Sequence, residues 1–126
     1  MPDTLLIAED DHLVVRLLRA TFAPTGLRLL TVGTGSEALE VARAERPDAV
    51  ILDVGLPDLD GYEVCRRLRS APETASILVV MLSARAADSD QERGTRAGAA
   101  LYLTKPFSPS ELRAAVQGLL EQPRPR

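Results

Sequence analysis

Four short apolar runs in this chain stop abruptly on polar residues, and that repeated edge constrains the fold more than any other feature. Residues 5–8 run into Glu9-Asp10-Asp11, residues 49–52 into Asp53, residues 77–82 into Ser83, and residues 101–103 into Thr104-Lys105. Runs of this length, rich in Leu, Val and Ile and lacking polar alternation, read as strands buried on both faces. Such a strand has no reason to end on a carboxylate unless its tip meets solvent or a ligand. Residues 27–32 read as a further strand.

Between the strands the apolar period changes. Leu13, Leu17 and Ala20, together with Val14 and Leu18, fall at three- and four-residue spacings, with Arg16 and Arg19 left for solvent. This predicts an amphipathic helix ending near Pro24 and Gly26. Residues 36–44 are good helix formers, with Thr34 and Glu37 at capping-box spacing and Ser36 an equally good cap, and Pro47 ends them. Asp60 and Glu63 repeat the capping spacing ahead of a helix through Val64, Cys65 and Leu68 to about Ser70, and residues 71–74 read as loop. A polar helix is expected over about 87–97, closing on Gly98. Ser108-Pro109-Ser110-Glu111 opens the last helix, which runs through Leu112, Val116, Leu119 and Leu120. Five strands alternating with five helices give an α/β domain over 1–122, a doubly wound five-stranded parallel sheet flanked by five helices. Residues 123–126 are expected to form a flexible tail.

Composition narrows the function classes. At 126 residues the chain fits one domain, and with 45% hydrophobic but only 3% aromatic residues its core must be built from Leu, Val, Ile and Ala. A net charge of -3 and the absence of a long basic run leave no electrostatic footprint for direct nucleic-acid binding. The single cysteine, Cys65, excludes an internal disulfide and a thiolate zinc cluster, and reads as a half-buried helix residue. No basic segment precedes the short apolar run at 5–8, so neither a signal peptide nor a membrane span is expected, and a cytoplasmic location is.

In parallel α/β sheets ligands bind beyond the carboxyl ends of the strands, so Glu9, Asp10, Asp53, Ser83 and Lys105 are expected to meet on one edge. Taken alone, Asp53 serves equally well as the start of the turn at 55–58. Three crowded carboxylates repel, and unless one stays protonated they call for a cation. An oxygen-only ligand set favours magnesium, with manganese the alternative. Asp53 can then attack phosphorus as a carboxylate nucleophile, while the cation and the Lys105 ammonium neutralise the equatorial oxygens and the Ser83 hydroxyl donates to one of them. A Gly-x-Ser-x-Gly elbow, a Gly-x-Gly-x-x-Gly turn and a Walker loop are all missing, which argues against acyl hydrolysis, hydride transfer and direct use of ATP.

On these residues the chain resembles the receiver domain of two-component response regulators, from about Leu5 to Leu120. The match is carried by Glu9-Asp10, by Asp53 followed by Pro57 and Asp60-Gly61, by Ser83-Ala84, and by Tyr102-Leu103-Thr104-Lys105-Pro106-Phe107. The resemblance implies a flavodoxin-like strand order 2-1-3-4-5 and a phosphoryl-accepting switch, not a turnover enzyme, whose chemistry is its own phosphorylation and slow dephosphorylation. Asp53 would accept a phosphoryl group from a histidine kinase or a phosphotransfer protein. Magnesium would be held by Asp10 and Asp53, by Glu9 through water, and by the backbone carbonyl of Gly55. Ser83 and Lys105 would grip the phosphoryl oxygens, and Tyr102 matches the switch aromatic that swings inward as the Ser83 hydroxyl moves. Lys105-Pro106 is implied to be a cis peptide. The surface near the last strands and helices would then act on a downstream protein or effector domain.

The chain also departs from the family pattern. Ala100-Leu101 stands where two acidic residues often precede the switch aromatic, which puts one mode of receiver pairing in doubt and leaves a homodimer open. Gly55 and Arg85 occupy the positions that tend to tune phosphoryl lifetime. Two other readings compete. A phosphorylation-independent binding module would have no need of the intact acid, serine and lysine set. A magnesium phosphohydrolase would want an aspartate two residues after Asp53, where Gly55 stands.

Overall fold

The computed structural model describes residues 3–85 and 87–122; the expected tail at 123–126 lies outside the described residues. Five strands, β1 (Thr4–Ala8), β2 (Arg28–Val32), β3 (Ala49–Asp53), β4 (Leu78–Ser83) and β5 (Leu101–Thr104), pair in parallel in the order β2-β1-β3-β4-β5. Five α-helices connect or follow them: α1 (His12–Phe22), α2 (Gly35–Glu45), α3 (Gly61–Ser70), α4 (Asp88–Ala97) and α5 (Pro109–Glu121). The chain direction of sheet growth reverses between β1 and β3, which opens the crevice at which such sheets bind ligands.

The unbroken apolar runs are explained by burial on both faces. Leu6, Ala8, Val50, Leu52, Val79 and Met81 face one core, shared with α2, α3 and Ala97 of α4. The alternate residues Leu5, Ile7, Ala49, Ile51, Val80 and Leu82 face a second core, shared with Leu18 and Phe22 of α1 and Leu112 and Val116 of α5. Every residue of β3 is buried, including Asp53.

One helical stripe differs from its expectation. Leu13 is 74% and Leu17 44% exposed, and Ala20 is exposed as well, whereas Leu18, Thr21 and Phe22 are buried. Two apolar rows lie side by side on α1, and the row that ends in Phe22 turns inward because the aromatic ring buries the most area. A short 3-10 turn at Ala23–Thr25 then leads to Gly26, which takes the left-handed conformation at φ 78°. Cys65 is fully buried, deeper than the half-burial expected, and burial pushes its thiol pKa up.

The helix starts are capped largely as their spacing predicts. Asp11, Thr34, Asp60 and Ser108 each accept a backbone N–H from the first turn of the following helix. Thr34, not Ser36, caps α2; the Ser36 N–H instead donates to Asp58 Oδ1 at 3.3 Å. Glu63 turns its carboxylate outward to Arg66 at 2.6 Å and Arg67 at 2.9 Å. Gly61 begins α3 hard against the end of β3: a Cβ there would lie 2.8 Å from Val54 Cα and 2.9 Å from the Asp53 carbonyl oxygen. Its N–H donates to the Val54 carbonyl at 2.9 Å, so glycine is what allows α3 to pack onto the backbone that carries Asp53.

Candidate phosphoryl-acceptor site

The ladder brings the polar strand ends to one edge. Asp53 is in register with Leu82 and Ser83 with Thr104, while Glu9 follows β1 directly and its N–H donates to the Val32 carbonyl at 3.0 Å. The Lys105 N–H donates to the Ser83 carbonyl at 2.7 Å, extending the β5 pairing by one residue. All five strand-end residues picked out from the sequence therefore converge on the carboxyl edge. The Lys105-Pro106 peptide is cis, as the resemblance implies.

Glu9, Asp10 and Asp53 each present a carboxylate oxygen, and these oxygens lie within 4.8 Å of one another. Glu9 and Asp53 are buried and Asp10 is exposed. Lys105 Nζ bridges the two buried acids, donating to Glu9 Oε1 at 2.8 Å and to Asp53 Oδ1 at 3.2 Å. The second Glu9 oxygen accepts the Asp11 N–H at 3.1 Å, so the residue that caps α1 also orients Glu9.

The electrostatics of the cluster are unbalanced. Burial raises the Glu9 pKa above its ordinary value, the Asp53 charge adds to that rise, and the Lys105 and Asp11 hydrogen bonds only partly offset it. Burial disfavours the Lys105 ammonium, but its hydrogen bond to Glu9 and the charges of Asp53 and Glu9 outweigh burial and raise its pKa. One ammonium against three carboxylates leaves surplus negative charge in a partly buried place, which a hard divalent cation would neutralise. The oxygen-only donor set fits magnesium, with one face of the cluster open through Asp10 to water.

Asp53, Ser83 and Lys105 also line a pocket of about 370 Å³, together with Gly55. A Cβ on Gly55 would meet only Asp53 Oδ2, at 3.7 Å, so the space beside the carboxylate is open. Ser83 is buried and its Oγ accepts the Arg85 N–H at 3.0 Å, leaving its own proton uncommitted to that bond. The Arg85 carbonyl in turn accepts the Tyr102 hydroxyl at 3.0 Å. Tyr102 is thus connected to Ser83 through the backbone of one residue.

Two residues on the pocket wall escaped the sequence reading. Tyr62 at the start of α3 and Arg93 on α4 line the same space as Asp53. Their nearness to Asp53 depends on how α3 and α4 pack together, which no local spacing encodes. The available signal was compositional: Tyr62 is one of only two tyrosines in the chain.

A family model for the response regulator receiver domain matches residues 5–117. Response regulator MprA of Mycolicibacterium vanbaalenii is 43% identical over 125 residues, which is 99% of this chain and 53% of that protein. The chain spans about half the length of the curated relatives it matches. Among solved structures, a putative response regulator from Chloroflexus aurantiacus superposes with a TM-score of 0.91 at 39% identity, covering 97% of this chain and all of that one. The receiver domain of the sensor histidine kinase PA1611 from Pseudomonas aeruginosa, which holds a magnesium ion in its active-site cleft, superposes with a TM-score of 0.88 at 30% identity, covering 97% of this chain and 100% of that one.

Proposed function

The chain belongs to the response regulator receiver family, and from that membership we propose that Asp53 is its phosphoryl acceptor, taking the group from the phosphohistidine of a histidine kinase or phosphotransfer protein. The observation that carries this reading is the Lys105 bridge between Glu9 and Asp53 beside an open pocket. A buried carboxylate oriented by an ammonium, with free space next to it, is prepared for in-line attack on phosphorus.

The site residues divide the work in this proposal. Asp53 forms the new bond to phosphorus and becomes an acyl phosphate, while the donor's imidazole nitrogen leaves. Lys105 holds the attacking carboxylate and then faces the phosphoryl oxygens, where charge builds most. Ser83 donates its hydroxyl proton to one of those oxygens. Asp10 and Asp53 would hold magnesium directly, Glu9 through water, and Gly55 by its carbonyl; the cation supplies positive charge against the incoming phosphoryl oxygens. Tyr102 responds to Ser83 through Arg85. The same groups would support slow loss of the phosphoryl group to water, and manganese can stand in for magnesium on the same oxygen set.

We further take residues 1–122 as the receiver unit, acting on the cytoplasmic side upon a downstream protein or effector domain. Among the described residues no helix is long and apolar enough to cross a membrane. Phosphorylation adds a charge of about -1.5 to -2, enough to bias a bistable surface around the last strands and helices.

The test is incubation with acetyl phosphate, with and without magnesium, read by intact mass. A magnesium-dependent gain of one phosphoryl group, lost in Asp53→Asn, is expected. No gain under any condition refutes the proposal, and rapid catalytic turnover of a phosphoester would instead identify a hydrolase.

A further inference from the structure

Opposite the carboxylate cluster, the α4 wall of the pocket carries a cation that the chemistry at Asp53 leaves unused. The Arg93 guanidinium lies over the Tyr62 ring, 4.2 Å from its centroid, and both residues line the pocket shared with Asp53, Ser83 and Lys105. Arg93 is exposed, and among the described residues it joins no ion pair, in contrast to Arg66, Arg67 and Arg96 on α3 and α4. A guanidinium stacked on a ring keeps its N–H donors at the rim, free for an oxyanion. Stacking at an exposed site is a weak hold, whereas a phosphoryl oxygen offers a shorter, charge-assisted and bidentate contact.

The ring beneath Arg93 is itself poised for rearrangement. The Tyr62 hydroxyl donates to the Asp90 carbonyl at 3.2 Å and lies 3.4 Å from the Tyr102 hydroxyl, which donates to the Arg85 carbonyl at 3.0 Å. Two hydroxyl protons face three contacts, so one contact always goes without a proton. Packing, with Arg93 as its cover, holds this group together. Gly94, the neighbour of Arg93, provides the room: a Cβ there would stand 2.7 Å from Tyr102 Cδ2.

We propose that Arg93 is a phosphoryl-sensing residue of this pocket, which leaves the Tyr62 ring to contact the phosphoryl group on Asp53 and so lets α4 read the site directly. The inference rests on the reading of Asp53 as acceptor. It adds a second line of response beside the one from Ser83 to Tyr102, and the two meet at the tyrosine pair. It also makes Arg93 a determinant of how long the phosphoryl group stays, because a guanidinium on its outer oxygens shields the acyl phosphate from water.

The test uses the full chain with magnesium and beryllofluoride, a tetrahedral mimic of the phosphoryl group, and compares the wild type with Arg93→Gln and Arg93→Lys. Side-chain NMR reads the ring-current shift that Tyr62 imposes on Arg93. That shift is expected in the free protein and is expected to disappear at saturating beryllofluoride. Arg93→Gln should bind beryllofluoride about three- to tenfold more weakly, the scale of one charge-assisted contact at a half-open site, and Arg93→Lys should recover part of the loss. A ring-current shift that persists in the saturated complex, or an Arg93→Gln affinity equal to wild type, overturns the inference and leaves the acceptor role of Asp53 standing. If wild type neither binds beryllofluoride nor is labelled by acetyl phosphate, both fall together.

Discussion

Replacing Lys105 with Met removes the ammonium that bridges Glu9 and Asp53 while keeping much of the stem's apolar volume. The variant leaves two buried carboxylates facing each other without a counter-charge. Breaking a fully buried ion pair by deleting one partner costs about 3–5 kcal/mol. The Lys105 side chain keeps 24% of its surface exposed, so solvent reduces the expected cost to about 1–3 kcal/mol. With an unfolding entropy of about 2.1 cal/mol/K per residue over 126 residues, the melting temperature should fall by about 4–11 °C near neutral pH.

The pH dependence separates this cause from lost packing. The folded Glu9 pKa already lies above its ordinary value of 4.5, so ionised Glu9 costs the native state stability, and that cost is relieved as pH falls through the folded pKa. In Lys105→Met the hydrogen bond and charge that hold Glu9 down are gone, so its pKa rises further. The stability gap from wild type should therefore be full well above the raised Glu9 pKa and shrink as pH falls through it, as Glu9 takes up a proton and can donate to Asp53. The raised Lys105 pKa in wild type lies above 10.5 and plays no part in that window. Thermal melts in chelator-treated, low-salt buffer at half-unit pH steps measure it. A gap that stays constant across the window, or a variant as stable as wild type at its upper end, would refute the electrostatic account.

Two glycine substitutions probe the supports of the site. Gly61→Ala drives a Cβ into the Asp53 and Val54 backbone, an overpacking cost of about 1–3 kcal/mol, and should lower both the melting temperature and the rate of acetyl phosphate labelling. Gly94→Ala puts a Cβ 2.7 Å from the Tyr102 ring and 3.1 Å from Met81 Sδ, so the ring must move and the Tyr102 bond to the Arg85 carbonyl should be lost. Tyrosine NMR shifts read that loss, and an unchanged Tyr102 environment in Gly94→Ala would show that α4 yields instead.

Much of the architecture was legible because strand burial and strand edges leave opposite marks. Residues 49–52 are apolar without alternation because helices cover both faces of β3, and Asp53, though buried, interrupts them because its carboxylate meets the Lys105 ammonium and the pocket. Glu9, Ser83 and Lys105 became a site by the same argument, since parallel strands must all end at one edge. The orientation of α1 was less legible, because Leu13, Leu17 and Ala20 form as regular a row as the one ending in Phe22, and only the packed ring decides between them. Thr34 and Ser36 were equivalent caps on paper; Asp58, which holds the Ser36 N–H, left Thr34 to cap α2. The meeting of Arg93 and Tyr62 was not legible because it depends on α3 and α4 lying side by side.

If Ser83 and Tyr102 are the switch pair proposed above, the proton count at Ser83 gives a route from the pocket to Tyr102 that breaks no bond first. Ser83 Oγ accepts from Arg85, so its resting hydrogen bond spends a lone pair and not the hydroxyl proton. A phosphoryl oxygen can therefore draw on that proton at once, and the conflict that follows is geometric: rotating the hydroxyl toward Asp53 pulls against the Arg85 N–H. The carbonyl of that same residue is what holds the Tyr102 hydroxyl. Displacing Arg85 then returns the Tyr102 proton to a neighbourhood where Tyr62 offers another acceptor at 3.4 Å. On the proposed reading of Ser83 and Tyr102 as the switch pair, the switch would be a change of hydrogen-bond partners within a group whose three contacts share two hydroxyl protons.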